Sequence, residues 1–236
     1  MLYDIPAELC RYSLTVCSGE IGYTSSFKYL GIWFDADLSF DTHCTKLIST
    51  VKSRLYMLLR YPKDRNWKER RLLFFAFIYP AFVYGIECYL HCGKVMRQKL
   101  EYLYRKCGRI VLGRSCSRYD TTIYSRLNVL PLRFVFQLRC AIFLYSILRT
   151  RSLPLFDGYF QYNRELGRHF ADLSLPLVQS EGSRRSVRYW GPKLWNSIPA
   201  LIRGANSATQ FETMYASYLR QKASEFTDSY DLYDFI

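Results

Sequence analysis

Twelve basic residues lie between positions 97 and 151 (Arg97, Lys99, Arg105, Lys106, Arg109, Arg114, Arg118, Arg126, Arg133, Arg139, Arg149 and Arg151), against only Glu101 and Asp120. So one-sided and Arg-heavy a run suits phosphate binding. The guanidinium fork pairs with phosphate oxygens, and each contact releases a condensed counterion. The bland reading of such a run is a solvated helix face. Tyr102, Tyr104, Tyr119 and Tyr124 are interleaved with it, placed either to stack on bases or to line the edge of a core. Gly182-Ser183-Arg184-Arg185-Ser186, followed by Arg188, reads as an exposed basic turn that could touch a phosphate backbone. It lacks the lysine context of a nucleotide phosphate loop.

Catalytic chemistry finds less support. Phosphoryl transfer on two metal ions needs paired carboxylates, and the chain has no Asp-Asp dipeptide. Asp35-Ala36-Asp37, after a strand-like run, is the nearest substitute. Two acids around one residue between a strand and a capped helix are also ordinary turn chemistry, and no catalytic residue is expected here. His43, His91 and His169 have no nucleophile at a recognisable spacing. Among the eight cysteines only Cys88 and Cys92, with His91 between them, crowd as ligands do. No second pair matches them, so reduced thiols are expected rather than a metal site or a disulfide framework.

The 236 residues are half hydrophobic and 17% aromatic, a composition that folds. A formal net charge of +13 points to a polyanion, with nucleic acid (RNA, DNA or their hybrid) ahead of an anionic membrane surface. Met1-Leu2-Tyr3-Asp4-Ile5-Pro6 does not read as a signal peptide, so an intracellular protein, nuclear or cytoplasmic, is expected. Leu72 to Leu90 carries the single charge Glu87 and has the length of a membrane span. Pro80 and Gly85 interrupt it, Arg70, Arg71 and Lys94 flank it, and Arg139 sits in the middle of the next apolar run. A core helix kinked or restarted near Pro80 is the expectation, with no membrane span.

These residues must be carried by a mainly α scaffold of α+β type. Ser13–Val16 and Ser26–Phe34 read as two strands of a hairpin around Gly19 and Gly22. Ser39 is the expected N-cap of a helix from about Phe40 to Tyr61, with Leu47, Val51, Leu55, Leu58 and Leu59 at helical spacing. A second helix should run from Trp67 past Phe77. A third should take Val95 to Leu112, with Arg97, Arg105 and Arg109 outward and Gly113 as its stop. A short helix should reach Asn128, and Leu130-Pro131 should open another that ends before Pro154. Pro154 to Pro199 reads as irregular with short strands, and Ala208 to Lys222 as a closing amphipathic helix.

Two motifs carry a resemblance. Tyr29-Leu30-Gly31-Ile32, then Phe34-Asp35, Leu38-Ser39-Phe40 and His43 resemble the stretch just after the catalytic core in reverse transcriptases of non-LTR (LINE-type) retrotransposons. Gly191-Pro192-Lys193-Leu194-Trp195-Asn196-Ser197-Ile198-Pro199 is similar to the signature near the end of the same reading frames. Tyr84-Gly85, Leu130-Pro131-Leu132 and Phe211 fall in the expected order, although Ile86-Glu87-Cys88 stands where that family commonly has Trp. The resemblance implies a palm and primer-grip hairpin remnant over 1–38, a thumb-like basic helical domain over 39–151, and a C-terminal module over 152–236. It implies the C-terminal part of an RNA-directed DNA polymerase that binds template and primer. Mg²⁺ and deoxynucleotides would serve the parent enzyme, and no cofactor is expected in this chain. The candidate nucleic-acid-binding residues are Lys28, Tyr29, Gly31, Arg97, Arg105, Lys106, Arg109, Arg114, Arg184, Arg185 and Arg188. The alternative is a free-standing, non-enzymatic basic nucleic-acid-binding protein derived from a transposon. Trp195 is expected to be buried near Phe211 and Tyr215, with Asn196 bonding local backbone as a turn former.

Overall fold

The computed structural model describes residues 14–16, 19–61, 66–113, 122–149, 154–156, 158–162, 172–177, 184 and 186–225. Within them the chain is mainly helical, with short antiparallel hairpins at the start. β1 (Leu14–Val16) pairs with β2 (Gly19–Ile21), and β3 (Ser26–Tyr29) with β4 (Ile32–Asp35) in the register Ser26↔Asp35 to Tyr29↔Ile32. The expected hairpin between Ser13–Val16 and Ser26–Phe34 is therefore replaced by two, each closed on itself. The cause is local: Leu30 (φ 46°) and Gly31 (φ 86°) are both left-handed. They form a two-residue turn whose twist suits tightly joined strands.

α1 (Asp41–Arg60) begins without the expected Ser39 cap. Phe40 stands at the cap position with no side-chain bond. The last residue of β4 does that work instead, since Asp35 Oδ2 accepts from the Thr42 amide and the Ser39 hydroxyl, each at 3.1 Å. Leu47, Val51, Leu55 and Leu58 are buried as the spacing predicts, whereas Leu59 is exposed.

The long apolar stretch is divided. α2 (Trp67–Leu73) is capped by Asn66 and runs into a π-turn, Phe74–Ile78, followed by α3 (Tyr79–Val83). The Tyr79 amide donates to the Phe74 carbonyl, five residues back. That shift puts Pro80 in the first turn of α3, where a missing N–H costs least. Gly85 (φ 63°) then separates α3 from α4 (Ile86–Tyr89). Among the described residues no helix is long and apolar enough to cross a membrane.

α5 (Lys94–Leu112) stops at Gly113, α6 (Ile123–Leu127) at left-handed Asn128, and α7 (Leu132–Leu148) starts after Pro131. Gly108 lets α6 seat on α5, because a Cβ there would lie 2.7 Å from Ile123 Cγ2. α7 is apolar on nearly every face and sits centrally, against α3, α4 and α5 on the N-terminal side.

The C-terminal third departs most from expectation. Tyr162 and Leu173 form one isolated bridge, but most of the motif region is helix: α8 (Val187–Ser197), α9 (Ala200–Arg203) and α10 (Ala208–Glu225). Pro192 lies inside α8. An interior proline costs a helix about 3 kcal/mol. Trp190, Leu194 and Trp195 are all buried on the same helix, each stabilising by roughly 1.5–3 kcal/mol, so burial outweighs the break. α8 and α10 pack on α7, and the buried side chains form one core reaching from Ile32 to Leu219.

Candidate nucleic-acid interface

The hairpin β3–β4 presents Lys28 and Tyr29 to solvent, and Gly31 is exposed at its tip. Behind the tip it docks on the Tyr84-Gly85 corner. Tyr84 Oη donates to the Leu30 carbonyl at 2.5 Å, and a Cβ on Gly31 would lie 3.3 Å from the Tyr84 ring. A Cβ on Gly85 would strike Ile32 Cδ1. The two motif segments thus fit each other glycine to side chain. The Lys46 ammonium sits 3.7 Å over the Trp33 ring, a cation–π contact that spacing alone does not reveal.

Under the hairpin, His43 is buried. Its Nδ1 accepts the Trp33 amide at 3.4 Å and its ring lies 4.8 Å from that of Tyr89. Burial lowers the imidazole pKa, and the Asp35 carboxylate pulls only partly the other way. Asp35 and Asp37 are engaged in the turn between β4 and α1. Asp35 Oδ2 serves Ser39 and Thr42, and Asp37 Oδ1 accepts the Ser39 amide at 3.1 Å. Among the described residues no three of His, Cys, Asp and Glu are grouped to hold a metal ion.

α5 carries the centre of the basic run. Lys94, Lys99 and Lys106 are exposed, but Arg97, Arg105 and Arg109, expected outward, are half-buried. For Arg105 the reason lies in Glu101, whose carboxylate accepts from the Tyr124 hydroxyl at 3.0 Å and the Arg133 amide at 3.3 Å. Burial raises the Glu101 pKa, while the neighbouring Arg133 and Arg105 charges hold it down. Arg105 is drawn in against Tyr124, and Tyr104 is buried with its hydroxyl on the Leu130 carbonyl. Tyr102 alone of the interleaved tyrosines in the described residues stands out, 52% exposed. Val95, Gln98, Lys99, Glu101, Tyr102 and Arg105 line an open groove of about 390 Å³ on this face.

The rest of the run is not one surface. Arg139 bridges Glu87 at 3.0 Å, and Arg149 donates to the Arg203 carbonyl at 3.1 Å. Arg114, Arg118, Arg151 and Arg185 lie outside the described residues. Arg184 and Arg188 are exposed, with Arg188 5.9 Å over the Tyr159 ring. The described candidate residues therefore lie in three places: the hairpin, α5 and the start of α8.

The Trp-Asn motif is internal. Trp195 is 3% exposed and stacks 6.1 Å from Phe211, which continues the ring series to Tyr145 and Tyr215. Asn196 does not bond local backbone as expected. Its side chain accepts from the Leu173 amide and donates to the Leu173 carbonyl, both at 2.9 Å. Buried Arg203, which sequence reasoning missed, reaches Asp172 at 2.8 Å and pins the same segment. Cys88 is exposed, Cys92 faces Cys44 in the interior, and His91 lies between Phe136 and Trp190. The hydrogen bond to Cys92, then burial, push the Cys44 thiol up, and burial takes Cys107 to about 12. No protein family, curated protein or solved structure matches the chain.

Proposed function

We propose that this chain binds template–primer nucleic acid as the C-terminal region of a reverse transcriptase of the non-LTR retrotransposon kind, without contributing catalytic carboxylates. The observation that carries the reading is the mutual fit of Tyr29–Ile32 with Tyr84-Gly85, two segments on which the resemblance rests. Each supplies a left-handed glycine where the other places a side chain. Exposed Lys28 and Tyr29 on the hairpin, and exposed Lys99 one turn from exposed Tyr102 on α5, support contact with a phosphate backbone. Asp35 and Asp37, engaged in the turn, support the absence of polymerase chemistry in this chain. Side chains cannot read base edges in the narrow groove of an A-form duplex, so backbone contact is the mode.

Fluorescence anisotropy with a blunt RNA–DNA hybrid tests this. Affinity should fall as salt rises, with a log–log slope of about −0.7 to −0.9 per phosphate contacted. Joint reversal of Lys28, Lys94 and Lys106 to Glu should flatten that slope by about two to three. Absence of binding at low salt would overturn the reading. So would primer extension that disappears on Asp35→Ala.

A further inference from the structure

We infer that the groove on α5 is a subsite for one unpaired, unstacked base and its phosphate. It therefore binds a single-stranded overhang next to the duplex. This rests on the nucleic-acid reading above and names the part of the ligand that this face takes. Val95, Lys99 and Tyr102 follow one another at helical intervals of four and three, so they share one face. Val95 is 65% and Tyr102 52% exposed, leaving an apolar floor and a free aromatic ring. Lys99 stands between them in sequence, and Arg105, one turn beyond Tyr102, belongs to the same lining. An aromatic face, an apolar floor and flanking cations are the requirements of a base and its phosphate.

The one acid in the lining does not oppose an anion. Glu101 is turned to the Tyr124 hydroxyl and the Arg133 amide, with the Arg105 and Arg133 charges beside it. The face presented outward is cationic. A continuous duplex keeps its bases stacked and cannot offer a ring to Tyr102, whereas an overhang can. The groove, about 390 Å³, has room for one base.

The test compares three ligands by anisotropy on the full chain: a blunt RNA–DNA hybrid, the same hybrid with a six-nucleotide RNA overhang, and that overhang made abasic. The overhang should tighten binding about fivefold or more over the blunt hybrid. The abasic overhang should lose that gain. Tyr102→Ala should reduce the overhang-to-blunt ratio to near one, and Tyr102→Trp should preserve it, with melting temperatures unchanged because the side chain is exposed. Overhang and blunt hybrid bound equally well, or a gain indifferent to Tyr102→Ala, would overturn the subsite while leaving duplex binding standing. Failure of every ligand to bind would overturn the nucleic-acid reading itself. Displacement of the overhang by a poly-glutamate peptide, with the abasic and natural overhangs bound alike, would assign the groove to an acidic peptide instead.

Discussion

The His43 imidazole accepts the Trp33 amide through Nδ1 and packs at a tilt against Tyr89, so a proton on that nitrogen would break the bond that ties β4 to α1. Its pKa is lowered by burial in the folded chain. Above the ordinary value of about 6.5 the ring is neutral whether the chain is folded or not, and its contribution is fully present. As pH falls below that value the unfolded chain takes up a proton that the folded chain resists, and stability is lost toward the lower folded pKa. Urea midpoints between pH 7.5 and 5 should therefore drop more steeply in the native protein than in His43→Gln, whose amide oxygen can still accept from Trp33. Parallel slopes would contradict a neutral buried ring. Asn196 poses a different case. Leu173 is 2% exposed and has both its N–H and C=O on one side chain. Asn196→Ala leaves two buried backbone groups without partners, at about 1–3 kcal/mol each. Trp195→Ala costs about 3–5 kcal/mol, so urea titration should find the two losses comparable. An Asn196→Ala loss below 1 kcal/mol would show that the 172–177 segment follows without its tether.

Docking of the hairpin on the α3–α4 corner depends on backbone that only glycine adopts easily. Gly85→Ala must hold φ near 63° and displace Ile32. The left-handed conformation alone costs a non-glycine roughly 1–2 kcal/mol, and overpacking adds about 1 or more. We expect a loss of about 2–4 kcal/mol in denaturant melts. Tyr84→Phe, which removes an exposed bond, should cost under about 1 kcal/mol. Equal losses would place the docking energy in the hydroxyl instead. Such elements were legible unevenly in the sequence. α1, α5, α7 and α10 were readable because their apolar periodicity or their Gly, Asn and Pro boundaries are local. The Leu30-Gly31 turn was hidden because leucine is not a turn residue by type. The π-turn before Pro80 and the passage of α8 through Pro192 were hidden because distant packing, not local preference, decides both. The Asp35 cap was likewise obscured by Ser39, an equally good capping type that stands nearer the helix start.

Across the whole chain, composition suggests a polyanionic partner but not which arginines stand exposed. Arg105 is drawn in by Glu101 and Tyr124, Arg139 by Glu87 and Arg149 by a carbonyl on α9, largely contacts between residues far apart in sequence. The same long-range contacts bear on how the molecule unfolds. α7 packs on α3, α4 and α5 and equally on α8 and α10, and the core runs unbroken through it. The resemblance implies a thumb-like domain over 39–151 and a separate module over 152–236. Parting the two on the plane between α7 and the α8–α10 pair would expose Leu144, which meets Gly191, and Tyr145, which stacks on Phe211. Each of these buries enough apolar surface to stabilise by roughly 1.5–3 kcal/mol, so partial unfolding on that plane is penalised. One cooperative urea transition is therefore expected. Trp33 and Trp67 report the N-terminal half, Trp190 and Trp195 the C-terminal half. Fluorescence of a Trp33→Phe, Trp67→Phe variant, fluorescence of a Trp190→Phe, Trp195→Phe variant and far-ultraviolet circular dichroism should then give coincident midpoints once each is referred to its own variant. Two midpoints within a single variant, with the Trp195 signal melting apart from the helical signal, would establish two independently folding modules and sever the C-terminal motif from the core.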